Sequence, residues 1–261
     1  MVRAARISSP SNAPAGLKRE LTNPSLSPWM VNKKAKQAPG QVASSHRKFP
    51  SICQKHTELQ QLRGHEIMVA ENGLSQSECD AIINFAEVTK FQHQSSRGAT
   101  HNEAFRDNER IALQDQDIAT ELWERTGLAE LLKAHQIGNS SAKGLNANIR
   151  LYKYMPGQRF GRHIDESVQL GNGRQTRYTL LIYLCGHGSQ SLISKASSQQ
   201  PRLQGGATIF YDDRGRVAAS VQPRSGMMLL HLHGNDCLEH EAAPVRAGVK
   251  YILRSDVIYG P

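Results

Sequence analysis

Two periodicities divide the chain from residue 59 onward. Ile82, Ile83, Phe85 and Ala86 recur at helical spacing behind Ser75-Gln76-Ser77-Glu78, where Ser75 can cap the first turn. Leu122, Leu128, Leu131 and Leu132 predict a second helix over 118–135, and the polar stretch 95–110 between the two reads as loop. After Gly144 the period falls to two. Segments 148–155, 178–184, 206–211, 216–221, 227–233 and 249–258 are strand candidates, separated by clusters of Gly, Pro, Asn and Asp. Helices followed by a block of short strands predict an α+β chain with a sandwich or jelly-roll core. No helical pattern separates the later strands, which excludes a parallel Rossmann-type sheet, and no internal repeat points to a solenoid.

Charge and composition change the picture at the N-terminal end. Residues 1–55 hold ten of the 32 Lys+Arg but a single acid, Glu20, of the 23 Asp+Glu, which leaves 22 of each sign for 56–261. The net charge of +9 therefore belongs to the first segment, and the body is neutral, with no claim of its own on nucleic acid. The same segment carries six of the eleven prolines and few aromatic or β-branched residues, so residues 1–58 are expected to form a disordered basic tail. Lys18-Arg19 followed by Lys33-Lys34-Ala35-Lys36 resembles a two-part nuclear address. An acid-poor, Ser-rich, Arg-containing segment also fits an organellar transit peptide, and a tail with no address is the third reading. There is no apolar signal core and no apolar run of the ~20 residues needed to span a bilayer, so an intracellular protein with no membrane partner is expected, nuclear or cytoplasmic before organellar. Cys53, Cys79, Cys185 and Cys237 are too scattered for a disulfide framework or a CxxC zinc site and read as reduced thiols.

The candidate chemistry lies in the strand block. His163-Ile164-Asp165 follows a strand and turn, His240 comes late, and Lys250 and Arg254 sit on the last strand. Residues two apart on an extended segment project to one side, so His163 and Asp165 can grip one ion while a remote histidine completes the set. Two imidazoles and a carboxylate suit non-haem iron(II) with three positions left open; zinc accepts the same donors, so the ligands alone leave the metal undecided. His231 and His233, alternating on the preceding strand, are rival third ligands, with a packed or hydrogen-bonded role as the plainer reading. Lys250 and Arg254 share parity on an otherwise apolar strand, so at least one cation faces inward and needs an anionic partner, which a dicarboxylate would supply. Gly205-Gly206 reads as a turn or close backbone approach, since no helix start or Lys-Ser follows it, and 189–204 as a tolerated insertion in preference to a mobile lid beside the site.

Residues 148–259 resemble the catalytic domain of the prolyl 4-hydroxylase-like branch of the 2-oxoglutarate and iron(II) oxygenases. The resemblance runs through the stretch from Ile149-Arg150-Leu151-Tyr152-Lys153-Tyr154 to His163-Ile164-Asp165, then through 178–184, Gly205-Gly206-Ala207-Thr208-Ile209-Phe210 and His240-Glu241-Ala242-Ala243-Pro244-Val245 to Lys250-Tyr251. Upstream, Ala104-Phe105-Arg106-Asp107-Asn108-Glu109-Arg110-Ile111 resembles the pre-barrel segment of plant and fungal members. The resemblance implies a double-stranded β-helix, a cupin-like jelly roll with N-terminal supporting helices, over 59–261 with its core at about 146–260. It also implies Fe(2+) on His163, Asp165 and His240, and the distal carboxylate of 2-oxoglutarate on Lys250, with Arg254 in reserve and Tyr154 and Tyr183 lining that pocket. The implied reaction couples decarboxylation of 2-oxoglutarate to succinate and CO2 with O2-dependent hydroxylation of a protein side chain, prolyl by analogy, with L-ascorbate as reductant. The alternatives are a non-catalytic nuclear scaffold on the same fold, or an oxygenase acting on nucleic acid or a small molecule.

Overall fold

The computed structural model describes residues 48–96, 98, 103–186 and 201–261. Most of the expected tail and most of the 189–204 insertion lie outside the described residues. In chain order the elements begin with β1 (Leu59–Arg63), β2 (Ile67–Ala70), α1 (Gln76–Thr89), β3 (Gln92–Ser95), β4 (Arg106–Gln114), α2 (Gln116–Arg125) and α3 (Leu128–Leu132). Then come β5 (Gln136–Ile137), β6 (Ser140–Leu145), β7 (Asn148–Tyr154), β8 (Arg159–His163), β9 (Gln169–Gly171), β10 (Arg174–Tyr183) and β11 (Gln204–Gly205). The chain finishes with β12 (Thr208–Tyr211), β13 (Val217–Val221), β14 (Met228–Leu232), β15 (His240–Ala242), β16 (Val245–Ala247) and β17 (Lys250–Gly260). No helix among the described residues is long and apolar enough to cross a membrane.

The main sheet runs β1-β2-β14-β10-β17-β7-β4-β8-β15-β12-β13, with β11 and β16 pairing apart from it. Its ladders are antiparallel, and the sheet curls into the nearly closed barrel of a jelly roll, as expected. At its centre β17 is hydrogen-bonded to β10 on one side and β7 on the other, with nearly every residue buried. That explains why Tyr251-Ile252-Leu253 reads as a continuous apolar run rather than an alternation. Strand pleating still sorts the two faces. Lys250, Ile252, Arg254 and Asp256 share one of them, and across the ladder Tyr154 pairs with Lys250, Tyr152 with Ile252 and Arg150 with Arg254.

Three local expectations are corrected. The stretch 95–110 is not all loop: from Arg106 it becomes β4, held between β7 and β8 and paired with β3. Its buried positions, Asn108 and Ile111, are masked in the sequence by half-exposed charges around them. The single helix over 118–135 is two helices, because Gly127 takes φ 84 between them. A side chain at Gly127 would also come within 3.2 Å of the Lys55 carbonyl. The third correction follows from that contact: the described residues before 59 are part of the body rather than free tail. Phe49 and Ile52 are buried, with the Phe49 ring edge-on to Phe85 at 5.4 Å, and Lys55 N–H donates to the Arg125 carbonyl at 2.8 Å. Six prolines and ten bases conceal the two apolar anchors.

Glu78 ties this segment to α1. Its side chain completes a capping box with Ser75 and accepts the Cys53 N–H at 2.7 Å, while the Lys55 ammonium lies 3.0 Å away. Burial by itself would raise its pKa. The N–H groups of Ser75 and Cys53, together with the Ser75 hydroxyl and Lys55, prevail and bring it down to about 2. A depressed acid stabilises the fold fully above its ordinary pKa of 4.5 and loses that contribution as pH falls through about 2. Glu78→Gln should therefore cost about 1–3 kcal/mol at neutral pH. The gap between variant and wild-type urea midpoints should narrow as pH falls below 4.5; a gap independent of pH contradicts this account.

Candidate metal centre

His163 ends β8, the exposed Ile164 follows, and the buried Asp165 points back beside it. His240 opens β15 directly across the ladder from His163, with Phe210 of β12 opposite on its other side. The strand register thus joins residues far apart in the chain: the two imidazole rings lie 4.3 Å apart, and His163 is stacked on Phe160 at 3.7 Å. Ligand atoms of His163, Asp165 and His240 all lie within 4.8 Å of one another.

Hydrogen bonds prepare each of these groups. Nδ1 of His163 donates to the Gly161 carbonyl at 2.8 Å, and Nδ1 of His240 to the Leu238 carbonyl at 2.9 Å. A carbonyl can only accept, so these contacts place a ring proton on Nδ1 of each and leave Nε2 of His163 with its lone pair. Burial would lower His240 as well, but its contact with the Asp165 carboxylate prevails and raises it to about 9, so its Nε2 keeps a proton until a metal displaces it. The two Nε2 atoms face the Asp165 carboxylate at 3.7 and 3.6 Å. Burial, with His240 beside it, pushes His163 down to about 3 and keeps it neutral. Burial alone would raise the pKa of Asp165. The Arg254 guanidinium at 2.9 Å, with smaller contributions from His240 and His231, instead holds it well below the usual carboxylate range. Thr179 donates its hydroxyl to the other carboxylate oxygen at 2.8 Å. Two imidazole nitrogens and an ionised carboxylate on one side of a cavity fit a divalent transition metal, and the set suits iron(II).

That cavity is lined by His163, Asp165 and His240 together with Tyr152, Tyr154, Thr208, Leu181, Ile252 and Arg254. The two candidate cations diverge here. Arg254 is engaged by protein: it reaches Asp165 at 2.9 Å and Asp256 at 3.4 Å, and Asp256 in turn holds Arg150 at 2.5 Å. Lys250 is fully buried behind the cavity wall. Its Nζ donates to the Gly206 carbonyl at 2.5 Å, with the rings of Tyr154 and Tyr183 5.5 and 5.7 Å away. Gly206 has φ 71, and a side chain there would meet the Lys250 stem at 2.9 Å, so Gly205-Gly206 is the close backbone approach that was expected. Tyr183 shares a hydrogen bond with Thr208 at 2.6 Å, which places it one residue behind the wall.

Thr179, Asp256 and Arg150, which hold the centre from behind, carry no motif that sequence reasoning could find. Their only signal is alternation onto the inward face of strands already recognised. His233 bonds Thr179 at 3.1 Å, away from the cavity, whereas His231 lies beside His240, rings 4.5 Å apart.

Residues 149–255 match the family profile described as the 2OG-Fe(II) oxygenase superfamily. No curated protein matches the chain by sequence. Among solved structures, the viral collagen prolyl hydroxylase of Paramecium bursaria Chlorella virus-1, in complex with 2OG, superposes with a TM-score of 0.51 at 19% identity. The match covers 76% of this chain and 98% of that one. An oxidoreductase of the 2OG-Fe(II) oxygenase family from Burkholderia pseudomallei gives 0.51 at 12% identity, over 76% of this chain and 87% of that one. At these identities the likeness is one of fold.

The burial of Lys250 is testable without any ligand. Burial, weakly opposed by the thiol of Cys185, pushes its pKa from 10.5 down to about 7. Between these values the unfolded chain binds more protons than the folded one, so stability rises with pH through that window. Lys250→Met should thus be more stable than wild type below pH 7, with the advantage shrinking as pH rises towards 10.5. Urea midpoints across pH measure this, and a variant less stable than wild type at pH 7 contradicts it.

Proposed function

We propose, from the premise that residues 149–255 are a 2OG-Fe(II) oxygenase superfamily domain, that this chain hydroxylates a protein side chain, with prolyl the analogy's choice. Iron(II) would be held by His163, Asp165 and His240, and Lys250 would bind the distal carboxylate of 2-oxoglutarate. Bound there, the metal supplies the O2-dependent chemistry that converts 2-oxoglutarate to succinate and CO2 and hydroxylates a C–H bond. L-Ascorbate would serve as reductant.

The observation that carries this reading is the division of labour between the two cations. Arg254 is committed to Asp165 and Asp256, so its charge keeps the metal-binding carboxylate ionised. Lys250 has no carboxylate within 4 Å among the described residues, and a buried ammonium without a counter-ion calls for an anion from outside. On this reading Lys250 is the anchor, and Arg254, the reserve candidate of the sequence, acts as the positioning residue. Phe160 stacks on His163 and fixes its ring. Leu181, Ile252 and Ala242 keep the cavity wall apolar and water-poor. Tyr154 lines the cavity, and Lys250 Nζ lies 5.5 Å from its ring.

For a polypeptide substrate, the exposed apolar side chains of Ile164, Phe105 and Val168 lie on or beside the segments that carry the ligand pair. A second reading, an anionic substrate such as nucleic acid, rests on Arg106, Arg159 and Arg162. Their guanidinium groups lie over the rings of Phe160, Phe105 and Tyr211 at 4.0, 4.7 and 3.5 Å. The neutral charge of the body favours the peptide.

Succinate formation from 2-oxoglutarate with iron(II) tests the proposal. Wild type should turn over, His163→Ala should fall to background, and Lys250→Met should raise the KM for 2-oxoglutarate about tenfold or more. Turnover insensitive to both changes contradicts the assignment. Mass spectrometry of peptide pools separates the substrate readings, since hydroxylated oligonucleotide with unmodified peptide would exclude the first.

A further inference from the structure

His231 is a histidine that the proposed three-ligand centre does not use. It is fully buried on β14, and the β10–β14 register sets it opposite Thr179, the residue that donates to Asp165. Its ring is fixed edge-on to Phe210 at 5.2 Å and lies 4.5 Å from the ring of His240. Nδ1 contacts the Leu232 carbonyl at 3.2 Å, and Nε2 is buried without a hydrogen-bond partner. That Nε2 lies 3.7 Å from the Asp165 carboxylate, the same separation as for His163 and within 0.1 Å of that for His240.

Three imidazoles therefore treat Asp165 alike. Each has Nδ1 against a backbone carbonyl and Nε2 directed at the carboxylate. A carbonyl takes the Nδ1 proton, so His163 and His231 each turn a nitrogen lone pair to carboxylate oxygen at 3.7 Å, a distance too long for a hydrogen bond. Two acceptors held face to face in a dry interior need a cation or a donor between them. His231, Cys237 and His240 also present ligand atoms within 4.8 Å of one another, a separate grouping that shares His240 with the triad.

We infer that His231 is a fourth protein ligand, bound through Nε2 to the same ion as His163, Asp165 and His240 when 2-oxoglutarate is absent. The inference rests on the metal-centre reading above. An ion so held has one fewer open position than the triad alone would leave, and entry of a chelating co-substrate followed by dioxygen requires the His231 ring to leave.

The test is to load the full chain anaerobically with cobalt(II), without 2-oxoglutarate, and to count coordinated imidazoles by X-ray absorption. Wild type should show three and His231→Phe two, and the cobalt(II) dissociation constant of His231→Phe should rise about tenfold or more. His231→Leu serves as a second variant, and thermal unfolding without metal reports whether each remains folded. Two imidazoles in wild type, or an unchanged count in a folded variant, overturns the fourth ligand while leaving the triad intact. Failure of wild type to take up cobalt(II) at all overturns the metal centre itself and the inference with it.

Discussion

A carboxylate buried to this degree cannot remain ionised alone, and the arrangement around Asp165 follows from that constraint. Arg254 and Thr179 occupy its oxygens on the protein side, and imidazole nitrogens face it on the cavity side. Arg254 is itself a buried cation and is balanced by Asp256, which is balanced by Arg150 at the end of the chain of charges. Alternating signs let four charged groups sit inside a β-barrel without a large net field. Removing one link leaves its neighbour as an unpaired buried charge, so the centre and the barrel interior are energetically one unit.

Strand register does the rest of the positioning. One ladder sets His240 against His163, and another sets Lys250 against Tyr154 and Arg254 against Arg150. Since a strand alternates, a one-residue slip of β17 would turn Lys250, Arg254 and Asp256 to the opposite face together. The length of β17 and its burial between two partners make such a slip costly. The site is thus specified by the same contacts that specify the fold.

Much of this was legible in the sequence. The six later strands are each recognisable because one or both faces are buried and turn residues bound them. The His163-Ile164-Asp165 spacing and the remote His240 are visible as a motif, and the structure brings them together. What could not be read depends on contacts between distant segments. β4 is disguised by charges that lie on its wetter face, and the break at Gly127 answers to Lys55, some seventy residues earlier. The partner of Arg254 is 89 residues away, so parity could show that it faces inward but not that it was already paired. His231 was visible only as a rival to His240; its equal distance from Asp165 is a property of the β10–β14 ladder.

The most direct measurement of the central claim is anomalous diffraction from crystals grown with manganese(II), a divalent surrogate that is slow to react with oxygen. The account predicts one strong peak in contact with His163, Asp165 and His240, with Arg254 still bonded to the carboxylate. Crystals saturated with manganese(II) that show no peak there, or in which the three side chains point apart, would contradict it.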